Sequence, residues 1–317
     1  MPRFDVTLAG ELNLDLILYG LPPELPRERE LLADHMTLTL GSSSAIVAHN
    51  LACLGSRVGF QSLIGKDELG DIALQRLPAS GVDTSRVLRT ENSSTGLTVI
   101  LQHDAWRNIL TYCGTISQLK LADLDLDYLS NSRHFHLSSF YLQSSLRRDV
   151  GELFRRLKAA GLTISLDTND DPENRWAEDL HDVLRYVDVL LQNEREACRI
   201  AGTDDLELAL ERLSALVPVL VVKLGPKGAV ARRGKERLDC PAVQVKVIDP
   251  VGAGDSFDAG FLRQYVRGAD LATCLAWGNL AGALSTTRPG GTEAFRDATH
   301  REKFFREHTS DPSNLSS

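Results

Sequence analysis

The sequence predicts an α/β protein with an open, mostly parallel central sheet flanked by helices and a small β lid at one edge. Three observations carry this reading. Short apolar runs alternate with longer amphipathic stretches, the rhythm of βα units. The runs Val187–Leu191 (VDVLL) and Pro218–Leu224 (PVLVVKL) are apolar on both parities, as strands covered by helices on both faces must be. Two segments, Leu12–Leu40 and Thr95–Thr111, break the rhythm with strand-like runs that belong to no βα unit.

In chain order, Phe4–Ala9 (FDVTLA) is the first strand. Ser42–Leu54 is a helix opened by serines and closed by Gly55, a residue type suited to the position after a helix. Arg57–Ile64 is the next strand and Asp67–Ala79 the next helix. Strands follow at His134–Leu137, Leu162–Asp167, Val187–Leu191, Val219–Leu224 and Ala229–Arg232. Helices lie between them at Arg147–Ala160, Glu194–Ala201 and Leu206–Ala215. Val243–Ile248 (VQVKVI) alternates like a strand and leads into an amphipathic helix starting near Gly254. The lid takes residues 12–40, where a proline-rich stretch precedes MTLTL, and 92–115, where TGLTVIL and NILTY flank the polar turn HDAWR. The core then comprises 1–11, 41–91 and 116–310, and 311–317 is a flexible polar tail.

Composition narrows the function. Hydrophobic residues make up 43% and charged residues 25% of 317, ordinary for a soluble enzyme. The net charge of −8 excludes a general nucleic-acid binder, so an anionic ligand must be held by local features. Cys53, Cys113, Cys198, Cys240 and Cys274 are odd in number and scattered, unlike a disulfide framework or a zinc site. His49, His134 and His136 have no metal-ligand context and read as structural. The N-terminus lacks an apolar stretch of signal length, and the longest apolar run, Ala215–Val222, contains Pro218 and is too short to span a membrane. The expectation is a soluble, cytoplasmic protein with no membrane partner.

The chemistry concentrates in Asp249–Phe257 (DPVGAGDSF). Glycines at a helix start leave N–H groups unobstructed, and the helix dipole there favours negative charge. The amides of Gly252, Ala253 and Gly254 thus form an anion hole suited to phosphate, and Asp255 in the first turn is placed to take a proton from an attacking hydroxyl. GxGD alone reads equally well as a tight turn with a capping aspartate.

The longer string DPVGAGDSFDAGF resembles the C-terminal signature of the ribokinase-like (PfkB) carbohydrate kinases, D-T-x-G-A-G-D-x-F. Gly10–Asp15 (GELNLD) looks like that family's first strand and substrate-binding Asp, and Gly41–Gly55 like its glycine-rich N-terminal signature. Leu63–Gly70 resembles the stretch that follows. Gln192–Glu196 is similar to its N-x-x-E element, Val222–Ala229 to its nucleotide-binding strand and turn, and Trp277–Asn279 to its helix beside adenine. The resemblance covers nearly the whole chain and implies a ribokinase-like fold and an ATP- and Mg²⁺-dependent kinase. Ile46 stands where the family commonly has Asn, Ser42 where it often has Gly, and Pro250 where Thr is frequent. There is no GxxxxGK[ST] loop, so phosphate binding rests on the GAGD amides.

Chemistry and resemblance together assign roles. Asp255 is the base; Asn13 and Asp15, alternating on a strand, grasp sugar hydroxyls with Gly41, Ser42 and Arg107 beside them. Asn193 and Glu196 hold Mg²⁺ through water, an i, i+3 pair of hard oxygen ligands. Gly225 and Gly228 bracket the nucleotide, Lys223 lies near its phosphates, and Asn279 lies beside adenine. Asp249, Val251 and carbonyls around Arg288–Gly291 resemble loops that hold a monovalent cation such as K⁺.

The expected reaction is γ-phosphate transfer to an unphosphorylated monosaccharide, because Gly41–Ala45 has no lysine or arginine for a second phosphate. A nucleoside is the alternative acceptor, and a non-catalytic sugar or nucleotide sensor is the alternative class. Exposed lid edges suggest a homodimer.

Overall fold

The computed structural model describes residues 2–103, 106–176 and 180–309, so the predicted 311–317 tail lies outside the described residues. The first seven strands are β1 (Phe4–Ala9), β2 (Leu14–Tyr19), β3 (His35–Leu40), β4 (Val58–Gly65), β5 (Asp83–Thr90), β6 (Leu97–Gln102) and β7 (Arg107–Tyr112). The rest are β8 (Ser132–Leu137), β9 (Thr163–Leu166), β10 (Val189–Asn193), β11 (Val219–Lys223), β12 (Ala229–Arg233) and β13 (Glu236–Cys240). Nine form one sheet in the order β13-β12-β11-β10-β9-β8-β1-β4-β5. Pairing is parallel from β11 through to β5, and antiparallel only at β11–β12 and β12–β13. The other four form a separate lid sheet, β3-β2-β6-β7. This is the α/β architecture the sequence predicts.

The two-parity apolar runs behave as expected. Along β11, Leu220 and Val222 enter the core on one face of the sheet, Val219 and Val221 the core on the other. Along β10, Leu190 goes one way and Val189 and Leu191 the other. Each such side chain contributes roughly 1.5–3 kcal/mol by burial, so a slip of register in these strands is strongly opposed. His134 and His136 lie in the same interior, bridged by Ser165 Oγ at 2.7 Å from each ring. Burial pushes both down to about 3, so they are neutral imidazoles.

Some elements differ from the sequence reading. Val243–Ile248 is not a strand: its alternation packs Val243 and Val245 against Trp277 and Leu280, while Val247 and Ile248 are exposed. The segment is extended but has no sheet edge beside it, only an Ile248 N–H bond to the Thr286 carbonyl. The helix expected over Arg147–Ala160 is split into Ser144–Arg147 and Val150–Ala159. The one expected over Asp67–Ala79 ends at Arg76, just before Pro78, whose ring and preceding residue disfavour its continuation. β5 and β13 have no predicted counterpart. Both are edge strands with mostly half-exposed or exposed residues, so neither carries the double apolar pattern.

The Ala253–Tyr265 helix determines where the site's chemistry points. Phe257, Phe261 and Tyr265 recur every four residues and stack in sequence, with centroids 6.3 and 6.1 Å apart. Gly260 lets this helix meet the Leu271–Ser285 helix at backbone distance, because a Cβ there would fall 2.3 Å from the Trp277 carbonyl oxygen. Gly260→Ala is therefore expected to destabilise the protein by about 1–3 kcal/mol, read as a lower urea midpoint at unchanged m-value. An unchanged midpoint would show that the helices separate without cost.

Candidate active site

Parallel strands direct their carboxyl ends to one side of the sheet, and loops there gather residues far apart in sequence. Glu11 follows β1, Ser139 follows β8, and Asp167 and Asn169 follow β9; Asn193 closes β10 and Lys223 closes β11. All line one cavity of about 670 Å³. Asn13, Asp15, Ser42, Arg107, Gly225 and the run Gly252, Ala253, Gly254 and Asp255 line it too. Gly41 lies immediately behind Asp15, and Gly228, Asn279 and Asp249 are outside the lining.

At one end is the helix start. Gly252 has φ 73°, and a Cβ on it would sit 2.4 Å from the Gly291 Cα, so the turn requires glycine. Ser256 N–H makes the first intrahelical bond, to the Gly252 carbonyl at 2.9 Å. The Ala253 N–H closes a turn onto the Pro250 carbonyl at 3.2 Å, which leaves the amides of Gly254 and Asp255 ahead of the helical ladder. Burial first, and then the charge of Asp167, raise the Asp255 carboxyl above its ordinary range; Lys223, Ser43 and Asn169 oppose this.

At the other end, Asn13 and Asp15 are both buried and share one side, as their alternation predicts. Gly41 is there for space: a Cβ on it would lie 2.0 Å from Asp15 Oδ1 and 2.8 Å from Asn13 Nδ2. Burial, with Asp255 and Asp249 adding repulsion, pushes Asp15 up to about 7, while Thr98 and Arg107 pull it back. Ser42 has φ 62° and donates its hydroxyl to the Glu11 carbonyl at 2.9 Å. Glu11 in turn accepts from the Ser44 amide and hydroxyl, at 3.2 and 2.8 Å. Aliphatic groups from Ile100, Ile109, Ile116 and Leu142 also line the cavity, and Ile46 lies against Gly252 and Gly291 at the helix start.

Where β10 passes into its helix, Asn193 and Glu196 form a reciprocal capping box: Glu196 N–H donates to Asn193 Oδ1 at 2.9 Å, and Asn193 N–H to Glu196 Oε2 at 3.0 Å. Glu196 Oε1 stays outside the cap, and burial, then the charge of Asp167, pushes this acid up to about 7. Gly225 lines the cavity, whereas Gly228, at φ 104°, backs onto the Cys240 carbonyl. Asn279 donates to the carbonyls of Cys240 and Pro241, both at 3.0 Å, in an adjoining cleft with Trp277. Lys223 is clamped by Asp167 and Asp258 instead of pointing freely at the phosphate end.

Among the described residues no three His, Cys, Asp or Glu side chains are grouped to hold a metal by themselves. Glu196 with Asn193 nonetheless offers hard oxygens facing the cavity, the partial set that suits Mg²⁺ sharing its shell with phosphates and water. Asp249 is otherwise engaged. Its Oδ1 accepts from Val251 N–H, and its Oδ2 from Gly290 N–H and the Tyr19 hydroxyl.

Sequence reading alone does not single out Ser139, Asp167, Asn169 or Asp258. Ser139 and Asn169 have φ 52° and 54°, a region uncommon outside glycine that asparagine enters more readily than serine, and Ser139 N–H donates to Asn169 Oδ1 at 2.8 Å. For Asp167 and Asn169 the available signal was the polar cluster DTND directly after the alternating strand Leu162–Leu166.

Comparison with known proteins decides the family. A pfkB family carbohydrate kinase model matches residues 4–298. The chain belongs to the pfkB family of carbohydrate kinases. A relative, 2-dehydro-3-deoxygluconokinase of Bacillus subtilis, is 28% identical over 297 residues, 88% of this chain and 91% of that one. A nucleoside kinase of Methanothermobacter thermautotrophicus is 31% identical over 245 residues, 75% of this chain and 76% of that one. A solved E. coli structure described as a ribokinase II with ATP and Mg²⁺ superposes with TM-score 0.81 at 25% identity, covering 96% of this chain and 100% of that one. This pfkB protein is thus a sugar or nucleoside kinase with a ribokinase-like fold.

Proposed function

We propose that this kinase transfers the γ-phosphate of ATP to a hydroxyl of an unphosphorylated monosaccharide, with Asp255 as base. The observation that carries it is one cavity holding Asp255 at a helix N-terminus and the Asn13–Asp15 pair at the acceptor end. A sugar held by Asn13 and Asp15 presents a hydroxyl to Asp255. Its oxygen attacks the γ-phosphorus, its proton passes to Asp255, and the bond to the β-phosphate oxygen breaks with the electron pair leaving on ADP. The amides of Gly254 and Asp255, with Gly252 shaping the turn, stabilise the charge on the transferring group. Asn193 and Glu196 would hold Mg²⁺ through water, and the ion would supply countercharge to the polyphosphate. That countercharge matters because Glu11, Asp15, Asp167, Asp170, Glu196 and Asp255 all line the cavity.

An unphosphorylated acceptor is supported by the scarcity of cations. Arg107 and Lys223 are the ones among the lining residues, and Lys223 is engaged by two carboxylates. A nucleoside is the second reading, favoured by the aliphatic surface of Ile100, Ile109, Ile116 and Leu142 against which a base would pack. ADP release with ATP, Mg²⁺ and a panel of pentoses, hexoses, sugar acids, sugar phosphates and nucleosides tests this. The proposal requires turnover on a free monosaccharide to exceed the rest; a nucleoside or sugar-phosphate optimum would replace it.

The lid also supports pairing with a second copy. β7 is an edge strand exposed along its whole length, with Ile109, Leu110 and Tyr112 uncovered and Trp106 beside it. Sedimentation is expected to give twice the 34.8 kDa chain mass, and Leu110→Lys to return the monomer. A wild-type monomer at micromolar concentration would remove the lid-dimer reading.

A further inference from the structure

Lys223 has no part in the mechanism above, yet it is the cation nearest the helix start. Its Nζ lies 2.7 Å from Asp167 Oδ2 and 3.1 and 3.3 Å from the two carboxylate oxygens of Asp258. Those contacts occupy the three donors of an ammonium. Asp167 and Asp258 are almost wholly buried, so lending Lys223 to a phosphate would strip a buried carboxylate of its partner. The ammonium sits directly behind the turn: a Cβ on Gly254 would lie 3.6 Å from it.

We propose that Lys223 is a positioning residue and not a nucleotide ligand: with Asp167 and Asp258 it forms a buried ionic cluster that fixes the proton affinity of Asp255. This rests on the reading of Asp255 as base. The titratable and charged groups around Asp255 come from several elements. Asp258 is one turn along its own helix, Asp167 comes from the end of β9, Asp15 from β2 in the lid, and Lys223 from the end of β11. Among the acids it is Asp167 that, with burial, favours the protonated form of Asp255, whereas the charge of Asp255 in turn pushes up Asp15 and Asp258. Lys223 is the opposing charge, and Asp167, Asp258 and Glu196, from the helix after β10, hold it protonated against its burial. Asn169 ties the cluster to the site, donating its amide N–H to Asp167 Oδ1 at 3.1 Å while its side chain helps hold Asp255 down. A base that must be ionised to accept a proton therefore depends on a lysine that touches neither substrate.

The test is the pH dependence of kcat in Lys223→Met, Lys223→Arg and Asp167→Asn beside the wild type. Lys223→Met is expected to move the acid limb up by about one pH unit or more, and Asp167→Asn to move it down, with KM for ATP within about twofold in both. Lys223→Arg keeps the charge and is expected to keep the wild-type limb even where kcat falls. Should Lys223→Met not fold, the Asp167→Asn and Lys223→Arg limbs carry the test. An unmoved limb with KM for ATP raised about tenfold would make Lys223 a phosphate ligand and overturn the proposal. Limbs moving the same way in Lys223→Met and Asp167→Asn would overturn it too. Asp255→Asn separates the two layers: if it still turns over, the base reading fails, whereas a dead Asp255→Asn with unmoved limbs removes only the role of Lys223.

Discussion

Asp255→Asn is expected to lower kcat by about 10³-fold or more while KM for ATP and for the acceptor stay within a few-fold. The amide keeps the shape of the carboxylate but cannot take the hydroxyl proton. The helix-start amides, the acceptor pair and the Asn193–Glu196 box are untouched, so ground-state binding persists. Loss of fold would not explain such a result. Asp255 is buried and its acid is already pushed toward the neutral form, so replacing it with a neutral isostere leaves the thermal midpoint level or higher. Steady-state kinetics with a melting curve on the same preparation checks both halves. A kcat within tenfold of wild type would remove Asp255 from the proton transfer.

Asp15→Asn should instead act on the acceptor. A hydroxyl bound to a carboxylate loses a charge-assisted hydrogen bond of about 1.5–3 kcal/mol, so KM for the sugar is expected to rise by about 10- to 100-fold, with KM for ATP nearly constant. The same substitution should stabilise the ligand-free protein at alkaline pH. Because the folded state raises Asp15 to about 7, it binds that proton more tightly than the unfolded chain does. The carboxylate therefore costs stability increasingly as pH rises from about 4 to 7, and the whole cost is present above 7. The amide that replaces it has nothing to titrate. The expected gain at pH 8 is on the order of a few kcal/mol, vanishing near pH 4. Equal melting curves for the two proteins at pH 8 would show that Asp15 carries no such penalty.

What could be read from the sequence follows from where the chemistry is contiguous. Gly252, Gly254 and Asp255 are legible because a turn and a helix start are local structures, and their residues must be neighbours. Asn13 and Asp15 are legible because strand alternation puts them on one side. Asp167, Asn169 and Ser139 are not, because only the order β9-β8-β1 brings their loops together, and a single polar loop residue looks like turn chemistry. Lys223 was legible as a residue of the site but not in its engagement, since neither Asp167 nor Asp258 is near it in sequence. The fold shows the same division. Strands β10 and β11 announce themselves by apolar residues on both parities, while edge strands β5 and β13, and the unpaired run Val243–Ile248, are decided by neighbours the sequence does not name.

The missing side chain at Gly41 has a consequence for how this protein can change. Since any Cβ there would occupy the space of the Asp15 carboxylate, positions 15 and 41 are not free to drift separately. A larger residue at 41 is viable only on a background where 15 has already shortened, and that background has given up its grip on the acceptor. The order of substitution thus matters. A lineage that keeps Asp15 keeps the glycine at 41 with it.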